Sequence, residues 1–178
     1  MANEPCEGSH QEITFNSVKK FKDHTLEQYV SALAQKTPTP GGGSVAALAG
    51  ACGCALLGMS ARYSLGKAKS KIIENRLKDI IRKTGALQKR LLALVDLDAK
   101  AYEALVRARR QSKKHQRLAQ KKARAVPQEV ARLAYEAMES ASYLAKYGNK
   151  YLISDVAIAI DMLEASYNGA LTLVKTNN

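Results

Sequence analysis

The sequence predicts an all-α fold, an antiparallel bundle of about five helices that pairs into a dimer, and three observations lead there. Apolar residues recur at helical spacing over long stretches, as in Ile73, Leu77, Ile80, Leu87, Leu91 and Val95. Ala and Leu are plentiful and only four of the 178 residues are proline, a mix that favours helix. No stretch alternates apolar and polar residues as a half-buried strand does.

Residues 1–24 read as a polar lead-in and 25–178 as one helical domain. Thr25-Leu-Glu-Gln28 has the form of a capping box and opens a short helix to about Gln35. Lys36–Ser44 holds two prolines and three glycines and must break it. A second helix, from Gly43 or Ser44 to about Ser64, repeats small residues at Ala47, Gly50, Cys54 and Gly58. A helix-interior glycine costs roughly 1 kcal/mol against Ala, so several of them signal a close helix–helix approach. A third helix opens near Ser70, and with neither Gly nor Pro between Gly85 and Pro127 it can run far. The fourth covers about Leu118 to Lys146 with a kink at Pro127, and Gly148 suits a left-handed cap at its end. The last, about Ser154 to Thr176, is apolar nearly all round, broken by Asp155, Asp161, Glu164 and Asn168. Burial on that scale points partly to a dimer interface.

Composition narrows the function classes. The three cysteines, Cys6, Cys52 and Cys54, are odd in number, and the last two read as small buried side chains of one helix. His10, His24 and His115 are scattered and show no ligand spacing, so no metal site is expected. A reducing, cytoplasmic setting fits this usage. The longest uncharged apolar stretch, Val45–Ala61, is short for a membrane span and rich in Gly and Ala, so a core helix is expected there and no membrane partner. The net charge is +12, yet Arg107–Arg124 alone carries nine Lys or Arg and no acid, leaving +3 for the rest.

Four motifs carry a resemblance. Pro38-Thr-Pro-Gly-Gly-Gly-Ser-Val-Ala-Ala-Leu-Ala-Gly50 closely resembles the signature of the cyclodeaminase/cyclohydrolase family. Asp98-Ala-Lys-Ala-Tyr-Glu-Ala104, Ala125-Val-Pro-Gln-Glu-Val130 and Gly148-Asn149 with Ser154-Asp155-Val156 are similar to three further family stretches, in the same order. That family includes the C-terminal domain of formiminotransferase-cyclodeaminase and the stand-alone methenyltetrahydrofolate cyclohydrolases. The resemblance implies a helical homodimer with folate in a groove near the interface. It implies one of two activities: hydrolysis of methenyltetrahydrofolate to formyltetrahydrofolate, or cyclisation of formiminotetrahydrofolate with release of ammonia. The folate is the substrate, and no bound cofactor is implied. Two features depart from the pattern. The segment between Asp98 and Pro127 is short for the family and strongly basic, and Leu173 stands where Asn is frequent. They raise the alternative of a catalytically inactive member, or of a basic helical module that binds folate, other anions or nucleic acid.

The residues themselves support particular roles. Thr39, Gly41, Gly42, Gly43 and Ser44 lead into a helix N-terminus, where free N–H groups and the helix dipole favour an anion or an oxygen-rich ring; the bland reading is a tight turn into a packed helix. Asp98 falls on the apolar stripe of its helix with Leu91, Val95, Tyr102 and Leu105. A carboxylate there is costly unless paired or used, and desolvation raises its pKa toward that of a general base or acid. Otherwise it is a structural Asp bonded to a hydroxyl such as that of Tyr102, or one that caps a neighbouring helix. Ser154 and Asp155 suit helix caps, and Asp155 is the second candidate acid/base. Asn149 suits pterin nitrogens or a left-handed turn. Arg62 and the basic run suit a polyglutamylated folate tail, or a solvated face. Nucleic acid is the weaker partner for that run, because aromatic residues near it are few and no recognition motif appears.

Overall fold

The computed structural model describes residues 20–176. Five helices follow one another: α1 (Leu26–Leu33), α2 (Gly42–Leu65), α3 (Lys71–Ala108), α4 (Lys113–Tyr147) and α5 (Ile153–Thr176), with 3₁₀ turns at Phe21–Asp23 and Lys150–Leu152. No strand occurs among the described residues. The capping box forms: Thr25 Oγ1 accepts the Gln28 N–H and Gln28 Oε1 accepts the Thr25 N–H, both at 3.2 Å.

Helices α2 to α5 run alternately up and down. α2 packs on α3 and α5, and α4 closes the bundle against the same two. The small-residue face of α2 is what lets its neighbours in. A Cβ on Gly50 would meet Ser166 Oγ and Leu91, and one on Gly53 would meet Leu163 and the Ala159 carbonyl. Ala47, Cys54, Leu57 and Ala61 are fully buried beside them, against Leu77, Leu91, Leu94, Val95, Val130 and Leu163. By length and composition α2 would span a membrane, but most of it is packed inside the bundle.

Several expectations need correction. α3 and α4 are separated at Arg109–Ser112 without any Gly or Pro, so α4 starts earlier than Leu118 and the basic run forms a hairpin tip. Ser112 and His115 hold the turn through an Oγ···Nδ1 contact of 2.8 Å, and Gln116 Nε2 donates to the carbonyls of Arg109 and Gln111 at 3.2 and 2.9 Å. Gly148 is extended (φ −77°, ψ −177°), not left-handed. It is small because a Cβ would overlap the Leu144 carbonyl. Asn149 is not left-handed either; its Oδ1 accepts the Tyr151 N–H at 3.2 Å and caps the following turn. That cap takes over the role assigned to Ser154 and Asp155, which lie inside the first turn of α5. Cys54 is buried as expected, but Cys52 faces outward. Cys6 and His10 lie outside the described residues.

Candidate active site

The turn Pro38–Gly41 delivers the chain to the N-terminus of α2, and α3 crosses directly beside it. Nothing larger than hydrogen fits on the Gly43 Cα, because a Cβ would lie 2.5 Å from Asp98 Cγ and 2.7 Å from its Oδ2. The Ser44 backbone N–H donates to the Asp98 carboxylate. Asp98 therefore sits on the open end of a helix, where three N–H groups lack intrahelical partners. Two effects oppose each other at this carboxyl. Burial raises its pKa, the Ser44 N–H lowers it, and burial wins.

Ser44 is completely buried and its Oγ lies 2.8 Å from the Tyr29 hydroxyl. Tyr29 is the buried residue of α1, and Phe21 meets its ring edge-on. Burial pushes the Tyr29 phenol up, so it stays protonated and available to the pair. A short chain of polar contacts thus runs from α1 through Ser44 to the helix end that Asp98 caps.

A cavity of about 360 Å³ opens in front of Asp98. Thr39, Gly41, Gly42 and Gly43 form one wall, Tyr102 and Leu105 of α3 with Arg109 just past its end a second, and Ala123 and Leu173 close it. Pro127, buried within α4, has no N–H to give the Ala123 carbonyl four residues back. An acceptor is thereby freed at the cavity wall. The cavity offers a carboxyl, helix-terminal N–H donors, a phenol, a cation at the rim and a carbonyl. No group of three or more His, Cys, Asp or Glu suited to a metal occurs among the described residues.

A sequence profile described as formiminotransferase-cyclodeaminase matches residues 25–178. The chain belongs to that family. It is 31% identical over 167 residues to a methenyltetrahydrofolate cyclohydrolase of Methylorubrum extorquens, covering 87% of this chain and 79% of that one. It is 30% identical to a formimidoyltransferase-cyclodeaminase of Rattus norvegicus over 87% of this chain, but spans only 30% of that longer protein. The crystal structure of formiminotetrahydrofolate cyclodeaminase from Thermotoga maritima superposes with a TM-score of 0.83 at 30% identity, over 86% of this chain and 78% of that one.

Within this family member the sequence-derived residues divide into two groups. Thr39, Gly41, Gly42, Gly43, Asp98 and Tyr102 meet in one cavity, with Ser44 directly behind. Arg62, Asn149, Ser154 and Asp155 do not join them. The Asn149 N–H donates to Ser64 Oγ at 2.8 Å, which fixes that group at the far end of α2. The two ends are about 31 Å apart at 1.5 Å per helical residue. Sequence reasoning missed Ala123 and Tyr29, and reached Arg109 only as one of the basic run offered to the folate tail. Pro127 was the available signal for Ala123, whereas nothing in the spacing ties Tyr29 to Ser44.

Proposed function

We propose that this chain is a tetrahydrofolate one-carbon enzyme that acts at the methenyl carbon, with Asp98 as its acid/base group. The observation that carries this is the seating of Asp98 on the Gly43–Ser44 helix end, half-buried at the floor of the cavity. The methenyl carbon is an amidinium-like electrophile. Asp98 takes a proton from water as the water oxygen bonds to that carbon. The same carboxyl then returns that proton to the ring nitrogen as the carbon–nitrogen bond breaks, the new hydroxyl loses its remaining proton to solvent to become the formyl carbonyl, and formyltetrahydrofolate leaves. In the cyclodeaminase direction the bridging amine nitrogen of the folate bonds to the formimino carbon, its proton passes to the imino nitrogen, and the bond to that nitrogen breaks as Asp98 supplies the further proton with which ammonia departs. A carboxyl with a raised pKa exchanges protons nearer neutrality than an ordinary one, which suits both roles. Asp98 is favoured over Asp155 because only Asp98 lies in the cavity.

A homodimer fits this reading. Val45, Ala49, Cys52, Leu56, Met59 and Tyr63 recur along α2 at spacings of four and three and are all exposed or half-buried. Such a stripe is a helix–helix seam. Two copies paired antiparallel along it bring the Arg62, Asn149 and Asp155 end of one α2 to the Asp98 end of the other. That accounts for both groups of residues in one interface groove, and Arg109 at the rim suits the glutamate tail of the substrate.

The test follows the near-ultraviolet methenyl chromophore with purified protein and the Asp98→Asn and Asp155→Asn variants. Enzymatic decay of methenyltetrahydrofolate identifies a cyclohydrolase, and growth from the formimino compound a cyclodeaminase. Either activity should vanish in Asp98→Asn. Turnover that survives in Asp98→Asn removes Asp98 from the role assigned to it. Folate binding without any turnover marks an inactive family member.

A further inference from the structure

Asp98 stands level with the N-terminus of α2, and Leu173 at the end of α5 closes the same cavity. α3 nevertheless runs ten residues further, to Ala108, before α4 returns. At 1.5 Å per residue the α3–α4 hairpin extends about 15 Å past the N-terminus of α2. Its core is minimal: between Lys100 and Val126 only Ala108 and Ala119 are buried. All nine Lys and Arg of the basic run lie on this arm, and eight of them are exposed. Of these nine, only Arg107 has an ion-pair partner among the described residues, Glu103 at 3.6 Å.

The arm's charge works against its own stability. Lys113 and Lys114 occupy the first turn of α4, where the helix dipole disfavours cations, no acid offsets them and Ser112 makes no side-chain cap bond. Lys113 and Arg117, and Arg117 and Lys121, stand four apart, and Lys114 and Arg117, and Lys121 and Arg124, three apart, so like charges face each other along the helix. A segment that breaks capping, dipole and pairing rules at once is the kind of place where function outweighs stability.

We infer that the projecting α3–α4 arm is a docking surface for double-helical nucleic acid, held through its phosphates. The polar side chains between the cations are Gln111, Ser112, His115, Gln116 and Gln120; Ser112, His115 and Gln116 hold the turn, and Gln111 and Gln120 can donate hydrogen bonds to phosphate and sugar oxygens. From Glu103 to Ala134 the chain has no Phe, Tyr or Trp, so it lacks the platforms on which single-stranded bases stack. The scarcity of aromatic side chains thus argues against a single strand and leaves the duplex. Tyr102, Val106 and Leu118 are the exposed large apolar side chains of the arm, too few to enter a bilayer. One folate tail, leaving the cavity past Arg109, can follow one side of the arm, whereas the cations of α4 spread over about half of its circumference at 100° per residue. This inference stands apart from the folate reading: of the nine cations only Arg109 lines Asp98's cavity, and the other eight lie outside it.

The test measures fluorescence anisotropy of labelled 20-base-pair DNA and RNA duplexes against full-length protein from low to moderate salt. Lys113→Glu/Lys114→Glu/Arg117→Glu is compared with a control of equal charge change at the opposite end, Lys67→Glu/Lys69→Glu/Lys150→Glu. The arm variant places acids at a helix N-terminus, where they are favoured, and circular dichroism checks that it is folded. We expect log Kd to rise with log salt at a slope of about 4.5, for roughly five phosphates neutralised. The arm variant should weaken binding more than tenfold and the control less than threefold. A preference between DNA and RNA assigns the duplex type. No binding at low salt, or equal loss in both variants, overturns the assignment. So does tighter arm-dependent binding to a single strand or to phosphatidylserine vesicles than to a duplex. An arm variant that keeps duplex binding but loses affinity for polyglutamylated folate makes the arm a tail site instead.

Discussion

Replacing Gly43 by Ala is the sharpest probe of the Asp98 seat. The new Cβ would lie 2.5 Å from Asp98 Cγ and 2.7 Å from Oδ2, whereas comfortable carbon contacts begin near 3.5 Å, so the carboxyl must retreat by about 1 Å. A misplacement of that size can cost about 100-fold in rate, or about 2.7 kcal/mol of transition-state stabilisation. Stability should change far less. Ala recovers up to about 1 kcal/mol of helix propensity against roughly 1–3 kcal/mol of overpacking. Two other glycines supply the controls, since a Cβ on Gly42 or Gly85 meets nothing within 4 Å. Gly85→Ala, in the middle of α3, should keep full activity and gain stability. Gly42→Ala fills space in front of Asp98 and should raise KM while leaving the carboxyl in place. Steady-state kinetics on methenyltetrahydrofolate, with thermal melts beside them, read all three. A folded Gly43→Ala enzyme whose kcat stays within threefold of the parent would refute the claim that Asp98's position against this helix end matters for turnover.

Three further perturbations test separate links. Asp98 has its pKa raised by burial, so the native state holds that proton more tightly than the unfolded chain does. The stability this contributes is fully present below the ordinary carboxylate range and is lost as pH rises through the raised value. Asp98→Asn should therefore melt higher than the parent at neutral pH, the gap closing by about pH 4; a gap that widens on acidification contradicts the burial argument. Tyr29→Phe leaves Ser44 Oγ buried without its 2.8 Å partner, which should cost about 1–3 kcal/mol and lower Tm by roughly 2–4 °C for each kcal/mol. An unchanged melt would show that this contact carries no weight. Leu56→Glu puts a charge in the middle of the exposed α2 stripe; light scattering should find a folded monomer, and a dimer that survives it has another interface.

The helices were legible in the sequence wherever one rule acted alone. The capping box at Thr25, the small-residue face of α2 and the apolar stripe of α3 each fix one element, and each is present in the structure. The boundary between α3 and α4 was not, because Arg109–Ser112 holds no helix breaker and the turn closes through the side chains of Ser112, His115 and Gln116. Gly148 misled for a similar reason. A glycine after a helix usually answers a backbone angle, whereas here it answers a carbonyl oxygen. Asp98 could be picked out, since a carboxylate on an apolar stripe demands an explanation. Its partners could not, because Gly43, Ser44 and Tyr29 reach it through packing between helices far apart in sequence.

The division of the candidate residues follows from one geometric fact. A straight helix of 24 residues separates its ends by about 36 Å, and α2 carries the glycine turn at one end and Arg62 at the other. No bending of side chains closes that gap within one chain. Residues selected together by resemblance but held this far apart must either belong to different tasks or meet across a two-fold axis. The outer face of α2 bears on the choice. Its exposed side chains from Val45 to Tyr63 follow a seam spacing rather than a solvated pattern, and pairing along it in antiparallel fashion aligns opposite ends. The same pairing would leave the α3–α4 arm free, because the arm extends past the end of α2. A single chain would then divide its surface between an apolar seam that completes a small-molecule site and a cationic arm that serves a larger partner.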